Sequence, residues 1–164
     1  LNTARRIGVK LSIVESGRKI NEIMPDHVIE LTSNAFEECK KSLENSEILI
    51  LGLSYKPNVK DIQLSPAKHI IEKFQKLGVN VHVYDPFFLS SEVFGLKVEE
   101  NLENTLSKMD GAIIVTGHDD FKKIPLSSFT KMKSRILIDC RGIIDPISVK
   151  NEKIIFRGLG RGNL

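Results

Sequence analysis

A doubly wound α/β fold, a mainly parallel sheet preceded by a long helix, is what the 164-residue sequence predicts, from three features. Short apolar runs recur around residues 48–51, 79–84, 111–116 and 135–139, segments of helical period separate them, and turn residues such as Gly52 and Asp85-Pro86 close them. Strands covered by helices on both faces read as unbroken apolar runs, and their alternation with helices builds a parallel sheet wound in two directions.

The first 46 residues read as helical. Ile20, Ile23, Met24, His27, Val28, Leu31 and Ala35 recur at three- and four-residue intervals and share one stripe. A helix over about residues 13–43 would be a rod on the order of 45 Å long, enough to outreach a small domain. Pro25 removes a backbone hydrogen bond, so a kink or restart is expected near residues 22–25. Such a rod needs cover that the sheet does not supply, which points to a second copy of the chain. The alternative is a pair of shorter helices folded back on the sheet. Residues 1–46 are therefore assigned as a helical dimerisation segment and 47–164 as the α/β domain.

The organising strand is the run Ile48-Leu49-Ile50-Leu51, expected at the centre of the sheet. Ser65 and Pro66 start a helix, Ile70, Ile71, Phe74 and Leu77 form its buried stripe, and Gly78 ends it. Val79, Val81 and Val83 alternate into a second strand closed by Asp85 and Pro86, which makes a right-handed parallel crossover. Residues 87–101 look irregular, with a short extended piece at 96–98. A helix at 102–109, a third strand at 111–116, a short helix at 126–132, a fourth strand at 135–139 and a short edge strand at 154–156 complete the pattern.

No apolar run approaches the roughly 20 residues that span a bilayer, so no membrane partner is expected. The opening LNTARRIGVK lacks an initiator methionine and the apolar core of a secretory leader, and reads as mid-protein sequence. Cys39 and Cys140 lie too far apart in sequence to suggest a zinc site or a disulfide framework, which fits a reducing, cytoplasmic setting. A net charge of +3 does not argue for nucleic acid. Its distribution is uneven: residues 121–164 carry +7 and the first 120 carry −4. A basic C-terminal segment suits either a polyanionic small molecule or a solvated face.

Ligands of open parallel sheets bind beyond the carboxyl ends of the strands, so Tyr55 and Lys56, just past Gly52, are the first site candidates. Lys56 offers an ammonium for phosphate oxygens and Tyr55 a flat face and a hydroxyl, whereas a lone loop lysine is ordinarily just solvated. Arg141 follows the fourth strand, and its convergence with Lys56 on one rim suits a diphosphate. The competing reading of Arg141 is a structural ion pair with Asp139 or Asp145.

Other features carry less. Gly158, Gly160 and Gly162 mimic a dinucleotide fingerprint, but no strand is expected closely before them and no helix after. Cys140 reads as a small hydrophobe rather than a nucleophile. His118, Asp119 and Asp120 are too few for a metal site, and helix capping accounts for the aspartates.

Four segments then point to a family. LGLSYKPNVKDIQLSPA, VYDP, TGHDDF and IDCRGIIDP occur in the order and spacing of the C-terminal domain of nucleotide-sugar dehydrogenases, which oxidise UDP-glucose, UDP-N-acetylhexosamines or GDP-mannose. The upstream RKINEIMPDHVIEL resembles the family's central dimerisation helix, in the form seen in UDP-N-acetylmannosamine dehydrogenases, and FRGLGRG resembles that subgroup's ending. The resemblance implies a Rossmann-like domain that binds a UDP-sugar, a homodimer, and NAD as the cofactor of a four-electron oxidation of a primary alcohol to a carboxylate. It implies substrate contacts from Tyr55, Lys56 and Arg141. It places Gln63 where the family usually has an NAD-contacting arginine; glutamine hydrogen-bonds but cannot neutralise a pyrophosphate. It also implies that the catalytic cysteine and the NAD domain lie upstream of Leu1, leaving this piece inactive alone. A non-catalytic receiver-like module is the rival, and its acidic cluster is missing because the first strand ends in GLSYK.

Overall fold

The computed structural model describes Thr3 and residues 6–161. Helix α1 (Ser12–Glu38) leads into a five-stranded parallel sheet of β1 (Glu47–Leu51), β2 (Asn80–Tyr84), β5 (Gly111–Ile114), β6 (Ile136–Asp139) and β7 (Ile155–Gly158), ordered β2-β1-β5-β6-β7. A separate antiparallel pair, β3 (Glu92–Val93) and β4 (Leu96–Lys97), fills the stretch expected to be irregular, and Val98 bridges to Val83 of β2. The remaining helices are α2 (Pro66–Lys76), α3 (Leu102–Leu106), α4 (Leu126–Phe129) and α5 (Pro146–Val149).

The expected central strand is not at the centre. β5 holds that place and β1 lies beside it, second from the edge. Both strands are buried on both faces, so an apolar run reports burial and not position in the order. In β1 the alternate side chains feed two cores. Ile48 and Ile50 join Val28 and Phe36 of α1 with Ile70, Ile71 and Phe74 of α2. Leu49 and Leu51 join Leu106 of α3, Phe129 of α4 and Val149 of α5. Period-two alternation thus sorts one strand between two helical layers.

Helix α1 runs unbroken through Pro25, with no restart, and ends at Glu38 rather than near residue 43. Its buried positions are Pro25, Val28, Thr32, Ala35 and Phe36, all from its midpoint onward. Ile20 and Ile23, on the same expected stripe, are exposed, and Ile13 is 89% exposed. Ion pairs from Asp26 to Lys73 of α2 and from Glu38 to Arg157 of β7 hold the second half on the sheet. Expected positions 1, 2, 4 and 5 of the helical segment lie outside the described residues.

Helix α2 starts as expected. The Ser65 hydroxyl accepts from the Ala67 N–H at 3.2 Å and Pro66 occupies the first turn, where its missing N–H costs nothing. β7 is the edge strand expected near residues 154–156, and it runs into Gly158. A strand therefore does precede the glycine run, contrary to expectation; Gly162 lies outside the described residues.

Candidate functional site

The sheet's strands end on one line. Tyr84, Leu51, Ile114 and Asp139 are register partners across β2, β1, β5 and β6. From β1 the chain moves outward to β2, then returns past β1 to β5, so the loops after β1 and β5 diverge between neighbouring strands. A crevice at such a reversal is where open α/β sheets hold ligands. The loop after β1 (residues 52–65) carries Tyr55, Lys56 and Gln63, and the loop after β6 carries Arg141. Leu51 and Asp139 stand two strand spacings apart, roughly 10 Å.

Gly52 opens the first loop at φ 93°, and a Cβ there would lie 2.5 Å from Thr116 Cβ and 2.8 Å from Thr116 N. Only glycine permits both the left-handed turn and the close approach. The Thr116 hydroxyl then donates to the Ser54 carbonyl at 2.5 Å, joining the loops after β1 and β5.

The wider hold comes from two residues that sequence reasoning did not select. Asp85, at the end of β2, and His118, past the end of β5, are both fully buried. Asp85 Oδ2 accepts from the N–H of Leu53 at 2.7 Å, the N–H and hydroxyl of Ser54 at 3.2 Å each, and His118 Nε2 at 3.1 Å. Asp85 Oδ1 accepts from the Phe87 N–H at 2.9 Å. Burial alone would raise the Asp85 pKa, but the hydrogen bonds from His118, Leu53 and Phe87 outweigh it and hold the carboxyl below its usual range. On the other side of the ring, the Asn58 N–H donates to His118 Nδ1 at 2.9 Å. A backbone N–H can only donate, so Nδ1 is the acceptor and Nε2 carries the ring proton. Phe87 and Phe121 flank the ring, with centroids at 5.0 and 5.2 Å. The signal in the sequence was an aspartate closing VYDP and a histidine closing a buried run in TGH, two strand ends that the register puts on one edge.

Asp119 and Asp120 are not helix caps as expected. Asp119 pairs with Lys122 at 2.7 Å and accepts from the Asn58 amide at 2.7 Å; Asp120 pairs with Lys123 at 2.8 Å. Among the described residues no group of His, Cys, Asp and Glu is arranged to hold a metal.

Tyr55 is anchored by its N–H to the Asp61 carbonyl at 2.7 Å, with its ring partly exposed, and the exposed Lys56 ammonium lies 5.9 Å from that ring's centroid. No carboxylate among the described residues pairs with Lys56. Arg141 Nε donates to the Val115 carbonyl at 2.7 Å, which ties its loop to the one after β5. The structural ion pair weighed for Arg141 is absent. Asp139 spends its oxygens on the N–H groups of Arg141, Gly142 and Ile144, each at 2.8 Å, and Asp145 caps α5. The loops bearing Lys56 and Arg141 thus flank the loop after β5. Gln63 stands apart near the end of the first loop, its N–H bonded to Asp61 Oδ1 at 2.9 Å. Cys140 packs against the core, and burial pushes its thiol up to about 12, which leaves it protonated and unreactive.

A dinucleotide does not fit the turn after β1. The one glycine there is spent on Thr116, and the loop to α2 is long rather than the tight turn that seats a pyrophosphate on a helix N-terminus.

Residues 49–146 match the family model described as "UDP-glucose/GDP-mannose dehydrogenase family, UDP binding domain". A UDP-N-acetyl-D-mannosamine dehydrogenase of Pyrococcus horikoshii is 32% identical over 153 residues, 93% of this chain and 34% of that protein. A UDP-glucose 6-dehydrogenase of Bacillus subtilis is 26% identical, over 98% of this chain and 35% of its own length. The solved structure of the Pyrococcus horikoshii UDP-D-ManNAc dehydrogenase superposes with a TM-score of 0.82 at 31% identity, covering 94% of this chain and 35% of that one. The chain therefore spans about a third of the length of these relatives. With more than half of its residues inside the family model and its whole fold shared, the chain belongs to the UDP-glucose/GDP-mannose dehydrogenase family.

Proposed function

We propose that this chain is the nucleotide-binding and dimerising part of an NAD-dependent UDP-sugar 6-dehydrogenase whose substrate is UDP-N-acetylmannosamine. The observation that carries the reading is the pair of cations, Lys56 and Arg141, on loops that flank the sheet's reversal point and without carboxylate partners among the described residues. A diphosphate supplies the missing negative charge, Arg141 through a forked contact and Lys56 as a point charge, with Tyr55 offering its ring face to the nucleotide.

In such an enzyme a primary alcohol plus water gives a carboxylate as two NAD take up two hydrides. The residues of this chain bind and orient the nucleotide; NAD is held elsewhere, with Gln63 as an outlying hydrogen-bonding contact. Turnover then requires the two thirds of the relatives' length that this chain does not span. Homodimerisation is proposed through the first half of α1, where Ile13, Val14, Ile20 and Ile23 are exposed. Among the described residues no helix is long and apolar enough to cross a membrane. Free Cys39 and Cys140 support a cytoplasmic setting.

Calorimetry with UDP tests the site. Lys56→Ala and Arg141→Ala are each expected to weaken binding by about 1.5–3 kcal/mol, the range for hydrogen bonds to charged groups. Both variants binding as tightly as the parent chain defeats it. A UDP-glucose substrate is the second reading, favoured by the Bacillus subtilis relative's coverage of 98% of this chain. NADH formation from UDP-N-acetylmannosamine, UDP-N-acetylglucosamine and UDP-glucose, by a protein of the relatives' full length carrying this chain, decides between them.

A further inference from the structure

The loop carrying Tyr55 and Lys56 makes most of its anchoring contacts outside itself. Leu53 and Ser54 hang on Asp85, and Asn58 hangs on His118, so both ends of the Tyr55-Lys56-Pro57 segment are fixed by one buried pair. The pair is itself joined, His118 Nε2 to Asp85 Oδ2 at 3.1 Å. This arrangement has one consistent proton pattern. Nε2 donates to the carboxylate and Nδ1 accepts from Asn58, so the ring must be neutral. A second proton would sit on Nδ1 and face the Asn58 N–H, donor against donor, and that anchor would be lost.

We propose that Asp85 and His118 are positioning residues that hold the loop bearing Tyr55 and Lys56, and that a second proton on His118 releases it. Asp85, just past β2, is the charged group that faces the ring at Nε2. From the loop after β1 the ring meets the Asn58 N–H, Phe87 lies against it at a tilt, and Phe121 meets it in a T-shaped contact. Outside the ring, Asp119 is occupied by Lys122 and the Asn58 amide, and Asp120 by Lys123. The bearing of this device on ligand affinity rests on the assignment of Tyr55 and Lys56 as UDP contacts.

Two variants separate positioning from mere packing. His118→Asn keeps an acceptor near Nδ1 without a titrating ring, and His118→Phe fills the space between Phe87 and Phe121 without either hydrogen bond. Amide exchange at Asn58 and the 15N shifts of the His118 ring are followed from pH 8 to pH 5 in the 164-residue chain, with β5 amides as the control for global folding. A UDP-sugar is titrated in parallel, because its diphosphate has no group that titrates in this range. The expected result is that Asn58 loses protection as the ring gains its second proton. His118→Asn keeps Asn58 protected at every pH, and His118→Phe leaves it unprotected with β5 intact. UDP-sugar affinity falls roughly three- to tenfold in His118→Phe, the effect of losing the Asn58 anchor of the loop.

Asn58 protection that ignores the ring's titration, a ring that stays neutral to the pH at which β5 opens, or His118→Phe with a protected Asn58 each overturns the proposal. An acid-released loop in a chain with no UDP-sugar affinity supports the device and overturns the site assignment instead.

Discussion

Two aspartates close strands at the same edge of the sheet, and they build their loops in different ways. Asp139, at the end of β6, bonds the N–H groups of Arg141, Gly142 and Ile144, so it holds its own next five residues. Asp85, just past β2, holds Leu53 and Ser54, which lie 32 and 31 residues away, and joins His118 to reach Asn58. Both carboxylates are fully buried. The Arg141 loop is therefore a local structure that survives small changes elsewhere, whereas the position of Lys56 depends on three strands being in register. One half of the proposed diphosphate grip is built in sequence and the other only in space.

Removing Asp85 is the severest way to break this contrast. Asp85→Ala strands the N–H groups of Leu53, Ser54 and Phe87 and the His118 ring without an acceptor. Each buried donor left without an acceptor costs about 1–3 kcal/mol, so urea unfolding should show a loss of about 3 kcal/mol or more. A loss under about 1 kcal/mol would mean that the loop is held by something else. Acid removes the same interaction without mutation. The folded carboxyl titrates below its ordinary value, so its stabilisation is complete above the unfolded pKa of about 3.9 and is lost as pH falls through the lower folded value. Between about pH 5 and 2.5, wild type should therefore lose stability more steeply than Asp85→Ala. Asp110, also held low, titrates in both proteins and cancels in the difference. Parallel acid slopes would exclude Asp85 as a source of acid sensitivity.

Asp139→Asn tests the local side. The amide keeps one oxygen for three N–H donors and turns its own N–H groups toward them. The expected cost is about 2 kcal/mol, from one or two unsatisfied buried donors. The sharper expectation is its confinement: amide exchange should rise at residues 141–144 and stay unchanged at 53–58. Exchange that spreads to 53–58 would show the two loops to be one cooperative unit and dissolve the comparison.

The same contrast explains what the sequence revealed. Helix and strand identity came from periodicity, a local property, and Ser65-Pro66 marks a helix start that the structure keeps. Arg141 was legible because it stands two residues past its strand. Strand order was not legible, because β1 and β5 are equally apolar and the order depends on which crossover turns back. The Asp85–His118 pair was invisible for the same reason: neither residue is unusual until the register lines up Tyr84, Leu51 and Ile114. The stripe on α1 divides in the structure, with Val28 and Ala35 packed against the core and Ile20 and Ile23, which fit the same helical period, exposed.

The smallest expected effect probes a distant hold on the Arg141 loop that acts alongside the bond from Arg141 Nε to the Val115 carbonyl. Arg161, beyond β7, donates through Nη1 to the Ile144 carbonyl at 3.1 Å and through Nη2 to the Gly142 carbonyl at 3.0 Å. It is solvent-exposed, so water replaces much of what it supplies, and Arg161→Ala should cost about 1 kcal/mol. Lysine cannot span both carbonyls with a planar fork, so Arg161→Lys should recover little of the loss. Because Asp139 fixes the loop from inside, Arg161→Ala should weaken UDP binding less than Arg141→Ala does. An Arg161→Ala variant that loses as much stability as Asp139→Asn would show that the second loop, too, is held from a distance, and the difference between the two halves of the grip would be one of degree only.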